Sequence, residues 1–247
     1  MKIRVGAFAI SMAAFLACAP GAAAATRPPD LGMAKLSTIT IDTTTMPGHR
    51  LLRYTAVMVN VGAGPLELVG SRPDTSVSEM QVVQRISGSS GTTVVPVATT
   101  MFYAGDGHNH WHTKDIEGGS LRRLDNGRKV ATLAKEGFCF FDNVKYRLTL
   151  PGAPQTAQYT NTGCSPNQPN ALTTTMGLSV GWGDSYPSTT NLQWIDITGL
   201  PNGKYRLFAT ADPGHVVQES SYSNNGAWAT IKIAQDRVTV IKYGPGA

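Results

Sequence analysis

Three of the five histidines in this chain stand at every second position, His108-Asn109-His110-Trp111-His112, inside the segment GDGHNHWHTKDIEGGSL. On extended backbone alternate side chains leave the same face. The spacing therefore gathers three imidazoles on one side and turns Asn109 and Trp111 to the other. Same-face neighbours on a strand lie roughly 6 to 7 Å apart. Two of them can meet one ion through ligand bonds of about 2 Å, and bringing in the third requires a bend or twist. An all-nitrogen set suits copper, zinc, iron or nickel, and the lack of nearby cysteine argues against a closed structural zinc site. The competing reading is a solvated, His-rich strand with adventitious metal affinity, which the concentration of histidine in one tract disfavours. Asp106, just before the tract, reads as a turn acceptor or as an outer partner of the site.

The elements that must hold such a site read as β-strands. Short runs rich in β-branched and aromatic residues, separated by turn residues, cover Leu36 to Ile41, Leu51 to Val61, Pro65 to Val69, Met80 to Ile86, Thr92 to Ala98, Lys129 to Leu133, Phe138 to Phe141, Gln193 to Thr198, Tyr205 to Thr210, Ala227 to Ile233 and Val238 to Tyr243. Helical periodicity over a dozen residues is absent. The expectation is an all-β, single-domain β-sandwich with long loops around the metal site, in which Asn60 to Gly64 and Pro201-Asn202-Gly203 are turns. The polar stretch from Gly152 to Tyr186 fits no strand pattern and is expected to be a long functional loop tethered through Cys164.

Residues 1–25 read as a secretory signal: Lys2 and Arg4 begin it, Val5 to Ala17 is almost wholly apolar, and GAAAA offers small residues for cleavage before Thr26. The apolar run is too short for a membrane span, and Phe15-Leu16-Ala17 is a poor lipoprotein context for lipidation of Cys18. The domain is thus residues 26–247 of an exported protein, secreted or extracytoplasmic, and its two remaining cysteines, Cys139 and Cys164, are most simply one disulfide. Of 21 basic and 16 acidic residues, cleavage removes Lys2 and Arg4, leaving 19 against 16 and a net charge of +3. That excess is dispersed, with no basic patch interleaved with aromatics, so no nucleic-acid partner is expected.

Four segments in series carry a resemblance: the histidine tract, then RRLDNGRKVATLAKEGFCFFDN, then GLSVGWGDSYPSTTNLQWIDITGLPNGKYRL, then DPGHVVQESSYSNN. Together they resemble the catalytic domain of the lysyl oxidase family of copper amine oxidases, and upstream PPDLGMAKL and NVGAGPLEL resemble its bacterial members. The resemblance implies copper on His108, His110 and His112. It also implies a lysine tyrosylquinone cofactor built from Lys135, in AKEGFC, and Tyr186, in GDSY. The chain departs from the cysteine-rich animal enzymes, and Leu192 stands where they have cysteine before QWIDIT, so one bridge at most is expected.

The implied chemistry is coherent. Copper and dioxygen can oxidise the Tyr186 phenol to an ortho-quinone, whose ring takes up the ε-amine of Lys135 once that amine is neutral. The product is an electron sink that ordinary side chains lack. With it, a primary amine, including a protein lysine, would lose its α-proton to a base and be hydrolysed by water to an aldehyde, while dioxygen becomes hydrogen peroxide and ammonia is released. Asp184, two residues from Tyr186, is the candidate base.

Plainer readings stand beside these: Lys135 as a solvated surface lysine, Tyr186 as a packed aromatic with its hydroxyl tied to a neighbour, and Trp111, Trp194 and Ile195 as core. Asp196 reads as a strand-end acceptor, and His49 and His215 as loop residues that could stand behind the metal ligands. The rival to an oxidase is a secreted copper-binding protein of the same fold that never makes the quinone. A weaker third is a sandwich that only binds a partner at a cell surface.

Overall fold

A computed structural model describes residues 26–105 and 107–247. The expected signal segment with Cys18, and the turn or outer-partner reading of Asp106, lie outside the described residues. The domain is all-β, as its period-two pattern predicts, and among the described residues it is built from three antiparallel sheets. One runs through Gly91–Ala104, Glu79–Gly88 and Leu66–Ser71 and carries the His110–Lys114 strand near its edge, beside the short Gly137–Phe138 strand. A second joins Lys129–Thr132, Glu117–Arg123, Gly203–Ala211, Gly226–Ala234 and Arg237–Tyr243. The third is organised around Leu51–Asn60, which pairs with Trp182–Tyr186 and Trp194–Asp196. Leu51–Asn60 is buried on both faces along most of its length, so it reads as a continuous apolar run and not as an alternating one.

Alternation decides what faces the core. In Gly203–Ala211 the residues Tyr205, Leu207, Ala209 and Ala211 are buried, and opposite them in Gly226–Ala234 so are Ala227, Ala229, Ile231 and Ile233. Leu52, Tyr54, Ala56 and Met58 are fully buried on one face of the central strand. That face also carries Ile195, Tyr186 and Asp184, which stand opposite Leu52, Ala56 and Met58.

The long loop expected from Gly152 to Tyr186 is shorter than its composition implies. Residues 152–172 are irregular apart from a 3-10 turn at Asn161–Cys164, but Thr173–Leu178 and Trp182–Tyr186 are strands. Threonines, glycines and single apolar residues hide both from pattern reading. Pairing with Leu66–Ser71 and Leu51–Asn60 overrides that weak local preference. Glu117–Arg123 likewise escapes the reading, because EGGSLRR offers one large apolar residue.

The loop that remains is tied down at several points. Asp142 is buried and accepts hydrogen bonds from the Ser179 amide at 2.7 Å, the Ser179 hydroxyl at 2.7 Å and the Gln158 amide at 2.8 Å. Arg72 donates to the carbonyls of Ala171 and Pro169 at 2.9 and 2.6 Å. Cys139 and Cys164 form a disulfide with Cα atoms 5.8 Å apart across 25 residues of sequence. Replacing Cys164 by serine in the oxidised protein is expected to lower stability by about 3 to 4 kcal/mol in the chain-entropy account of a loop this long. Denaturant unfolding with thiol titration measures it, and an unchanged midpoint would count against this role for the bridge.

Glu219 accepts from the Leu31 amide at 2.5 Å and from the Asn225 side chain at 2.9 Å, while Asn224 donates to Asp30 at 2.8 Å. These bonds fasten the start of the domain to the segment after Gly203–Ala211.

Candidate functional site

The bend that three alternate imidazoles require is present at Asn109. The strand begins only at His110, and Asn109 takes φ 51°, left-handed backbone that asparagine tolerates better than most residues. His108 is thereby folded back over its neighbours. Its ring stacks on His110 with centroids 5.4 Å apart and 18° between planes, and meets His112 edge-on at 5.4 Å. The Nε2 atoms of His110 and His112 are 2.8 Å apart, and one ligand nitrogen from each of the three lies within 4.8 Å of the others. Two nitrogens bound to one ion at about 2 Å and a right angle are themselves about 2.8 Å apart. The donor set therefore fits a single soft-to-borderline ion, with a small rotation of the third ring.

Electrostatics favour the ligand form. His112 is 2% exposed. Burial, then the charges of Lys135, His110 and His108, push its pKa down to about 2, leaving a neutral imidazole with lone pairs to give. Phe102 supports that ring edge-on at 5.7 Å. Gly137 is needed beside it, since a Cβ there would lie 2.5 Å from the Phe102 ring and 2.8 Å from the His112 Cβ. Trp111, on the opposite face, is fully buried as core, donates to the Gln168 carbonyl at 3.0 Å and lies beneath the Arg72 guanidinium at 4.7 Å. The Asn109 carbonyl accepts from the Asn167 amide at 2.7 Å. The long loop is thus docked directly on the histidine tract.

Lys135 is buried, not a surface lysine: it is 4% exposed, with Nζ 3.5 Å from His108 Nδ1, 5.2 Å from the Phe138 ring centroid and 6.0 Å from that of Tyr186. Tyr186 is buried, packs edge-on to Phe138 at 4.9 Å and donates its hydroxyl to the Cys139 carbonyl at 2.7 Å. The disulfide residue therefore also positions the phenol. Burial, then the charges of Asp184 and Glu117, hold that phenol well above its ordinary pKa. Asp184 is 1% exposed, and burial raises its carboxyl well above the usual range, opposed by hydrogen bonding to Tyr186 and Asn143 and then by the Lys135 charge. One of its oxygens accepts from the Asn143 side chain, while Oδ2 has no partner. The Asn143 carbonyl oxygen in turn accepts from the Ser185 amide at 2.9 Å, which fixes that amide's orientation.

All six residues singled out in the sequence line one cavity of about 170 Å³, together with Asn143 and Phe141. His49 and His215 are not among its lining residues: His49 pairs with Asp196 at 2.7 Å and His215 stacks on Tyr222 at 4.4 Å. Sequence reasoning missed Asn143, which follows a turn and has no pattern to mark it. It also missed two buried polar groups, Glu117 and Tyr54. A lone glutamate in a glycine-rich run reads as solvated, and Tyr54 reads as ordinary core.

The all-β domain thus brings three convergent imidazoles beside a buried lysine–tyrosine pair. The chain belongs to the lysyl oxidase family, whose sequence model matches residues 79–243. It is 33% identical over 119 residues to protein-lysine 6-oxidase of Gallus gallus, covering 48% of this chain and 24% of that protein. It is 32% identical over 125 residues to lysyl oxidase homolog 1 of Homo sapiens, covering 48% and 18%. Lysyl oxidase homolog 3B of Danio rerio is 30% identical over 133 residues, covering 54% and 15%. The aligned part is a quarter or less of the length of these relatives. Among the described residues no helix is long and apolar enough to cross a membrane.

Proposed function

We propose that this protein is an exported, copper-dependent oxidase of primary amines, protein lysines included, with Lys135 and Tyr186 as the precursors of a lysine tyrosylquinone. The single observation that carries this reading is the placement of the buried Lys135 amine between the imidazole cluster and the Tyr186 ring, 3.5 Å from His108 and 6.0 Å from the ring centroid. A copper store needs only the imidazoles. Burying a lysine and a tyrosine against them costs desolvation that a store would not repay.

His108, His110 and His112 would hold the copper. Together the metal and the quinone would supply the two-electron sink through which amine, dioxygen and water become aldehyde, ammonia and hydrogen peroxide.

The chain's own groups do the rest. Cys139 O and Phe138 hold the Tyr186 ring in one orientation. Asn143 fixes Asp184, whose unpartnered Oδ2 is the oxygen available to take a proton. Burial keeps that carboxyl a stronger base than an exposed aspartate.

The test is the visible spectrum of the copper-loaded protein before and after exposure to air, followed by a panel of primary amines with peroxide detection. A quinone band that grows only with both copper and dioxygen, and stoichiometric peroxide, is the expected result. Weak ligand-field absorption alone, with no peroxide from any amine, would assign the protein to metal binding.

A further inference from the structure

A second cavity, of about 180 Å³, abuts the one described above. Phe102, Ala104, Ala134 and Leu192 wall it, and it reaches His112 and Lys135, which line the first cavity as well. Tyr186 and Asp184 line the first and not the second. The fold builds this space from three segments. Phe102 stands opposite His112 on the neighbouring strand, and the two rings meet edge-on at 5.7 Å, so the histidine strand is itself part of the wall. The Ala134 amide donates to the Trp194 carbonyl at 2.9 Å, which sets the segment that carries Lys135 beside the turn that carries Leu192. Leu192 takes φ 61°, left-handed backbone that a leucine disfavours. Two bonds hold it there: the Trp194 amide on the Leu192 carbonyl at 2.8 Å, and the Leu192 amide on the Asn191 side chain at 3.1 Å. Strained backbone of this kind persists only where its surroundings impose it, and it gathers at functional sites.

The two cavities differ in chemistry. The first offers Asp184, Asn143, Ser185 and Thr190 to a polar guest beside Tyr186. The second, apart from His112, Lys135 and the exposed Glu136, presents aromatic, aliphatic and glycine residues. Such a lining suits a small guest with no charge and no hydrogen-bonding groups. A primary amine has to reach Tyr186 and Asp184, which the second cavity does not touch.

We propose that the cavity beside Leu192 is a dioxygen site, through which a small apolar oxidant reaches His112 and Lys135 without passing the amine entrance. The purpose assigned to the site rests on the oxidase reading; its affinity for an apolar gas does not. In each cycle dioxygen takes two electrons and two protons from the centre that the amine has reduced and leaves as hydrogen peroxide. With its own route, dioxygen arrives while amine or aldehyde still occupies the first cavity. Leu192 and Ala134 set the width of that route, and Glu136 at its exposed rim makes a cationic amine the rival guest.

The first arm of the test needs no turnover. Methyl NMR spectra of the metal-free protein are recorded under rising dioxygen pressure, since dissolved dioxygen is paramagnetic and broadens the signals of the places it visits. The methyls of Ala104, Ala134 and Leu192 are expected to broaden more than those of Val94, which is 54% exposed. Leu192→Phe fills the space, and broadening at Ala104 and Ala134 should then fall to the level of Val94. Ala134→Leu narrows the cavity from another segment, so the result does not hang on a variant in a strained turn. Wild-type broadening at Ala104 no greater than at Val94, or unchanged broadening in both variants, overturns the site.

The second arm separates the half-reactions in copper-loaded protein. Mixed with amine in the absence of dioxygen, both variants should bleach the quinone band at the wild-type rate. On admission of dioxygen its return should be severalfold slower, with a shallower dependence on dioxygen concentration. A raised amine KM with unchanged dioxygen dependence would make this cavity the amine entrance and overturn the proposal. If wild type forms no quinone band and no peroxide, the proposed function fails, while the dioxygen broadening still reads the site. If wild type turns over and both variants reoxidise as fast as it does, the dioxygen site alone fails.

Discussion

Tyr186→Phe is expected to reduce amine turnover to the background rate and to erase any quinone absorbance, while copper binding stays within a few-fold of wild type. The change removes one oxygen from a buried ring that already packs against Phe138, so the hole it leaves is small. What is lost locally is one hydrogen bond, that to the Cys139 carbonyl, which costs about 1 kcal/mol. That is too little to unfold the domain or to disturb His108, His110 and His112. The phenol oxygen is, however, the atom from which a quinone grows. Its removal takes away the electron sink and not merely a binding contact, so the loss should appear in kcat and not in KM.

Lys135→Ala separates the two halves of the cofactor. It keeps the oxidisable phenol and removes the amine that joins it, so an uncrosslinked chromophore of altered colour with little turnover is expected. In wild type a peptide digest should yield one branched species joining the Lys135 and Tyr186 peptides, formed only with copper and dioxygen. Wild-type turnover in Tyr186→Phe would sink the mechanism. Absence of the branched peptide from copper-loaded wild type would leave a metal-binding protein.

How much of this could be read without coordinates varied with the physics behind each element. The all-β class was legible because strands such as Gly226–Ala234 have one wet and one dry face, which prints alternation directly into the sequence. The histidine tract was legible for the same reason, but the bend at Asn109 was only required by it, not visible in it. Thr173–Leu178, Trp182–Tyr186 and Glu117–Arg123 were illegible, since pairing partners far along the chain stabilise them and their own residues carry little apolar signal. The six named residues meet in one cavity, yet Glu117 and Tyr54 could not have been found. A buried unpartnered carboxyl has no sequence signature, because its cost is set wholly by what packs over it.

His110→Ala is expected to weaken copper binding by more than about a hundredfold, beyond the usual cost of losing an outer partner of a ligand. The argument is geometric. His110 Nε2 and His112 Nε2 already stand 2.8 Å apart, the separation of adjacent ligands on one ion, so removing one halves the best-formed part of the site. His108 cannot compensate, because its position depends on the left-handed Asn109 and its ring is stacked on the one removed. Stability should change little, as His110 is only half-buried and its loss opens no core cavity. His215→Ala serves as the control for nonspecific histidine affinity: it lies outside the cavity and should leave binding untouched. Asn109→Val is the informative intermediate. A β-branched residue disfavours φ 51°, so His108 should swing toward the ordinary strand position and affinity should fall with all three imidazoles still present. Isothermal titration of copper into the mature protein and these variants, under dioxygen-free conditions, measures all of them. One copper per chain in wild type, with the order His215→Ala, Asn109→Val, His110→Ala in falling affinity, is the expected result. Equal affinity in wild type and His110→Ala would remove the tract as the copper site, and with it the reason for Lys135 and Tyr186 to be buried beside it.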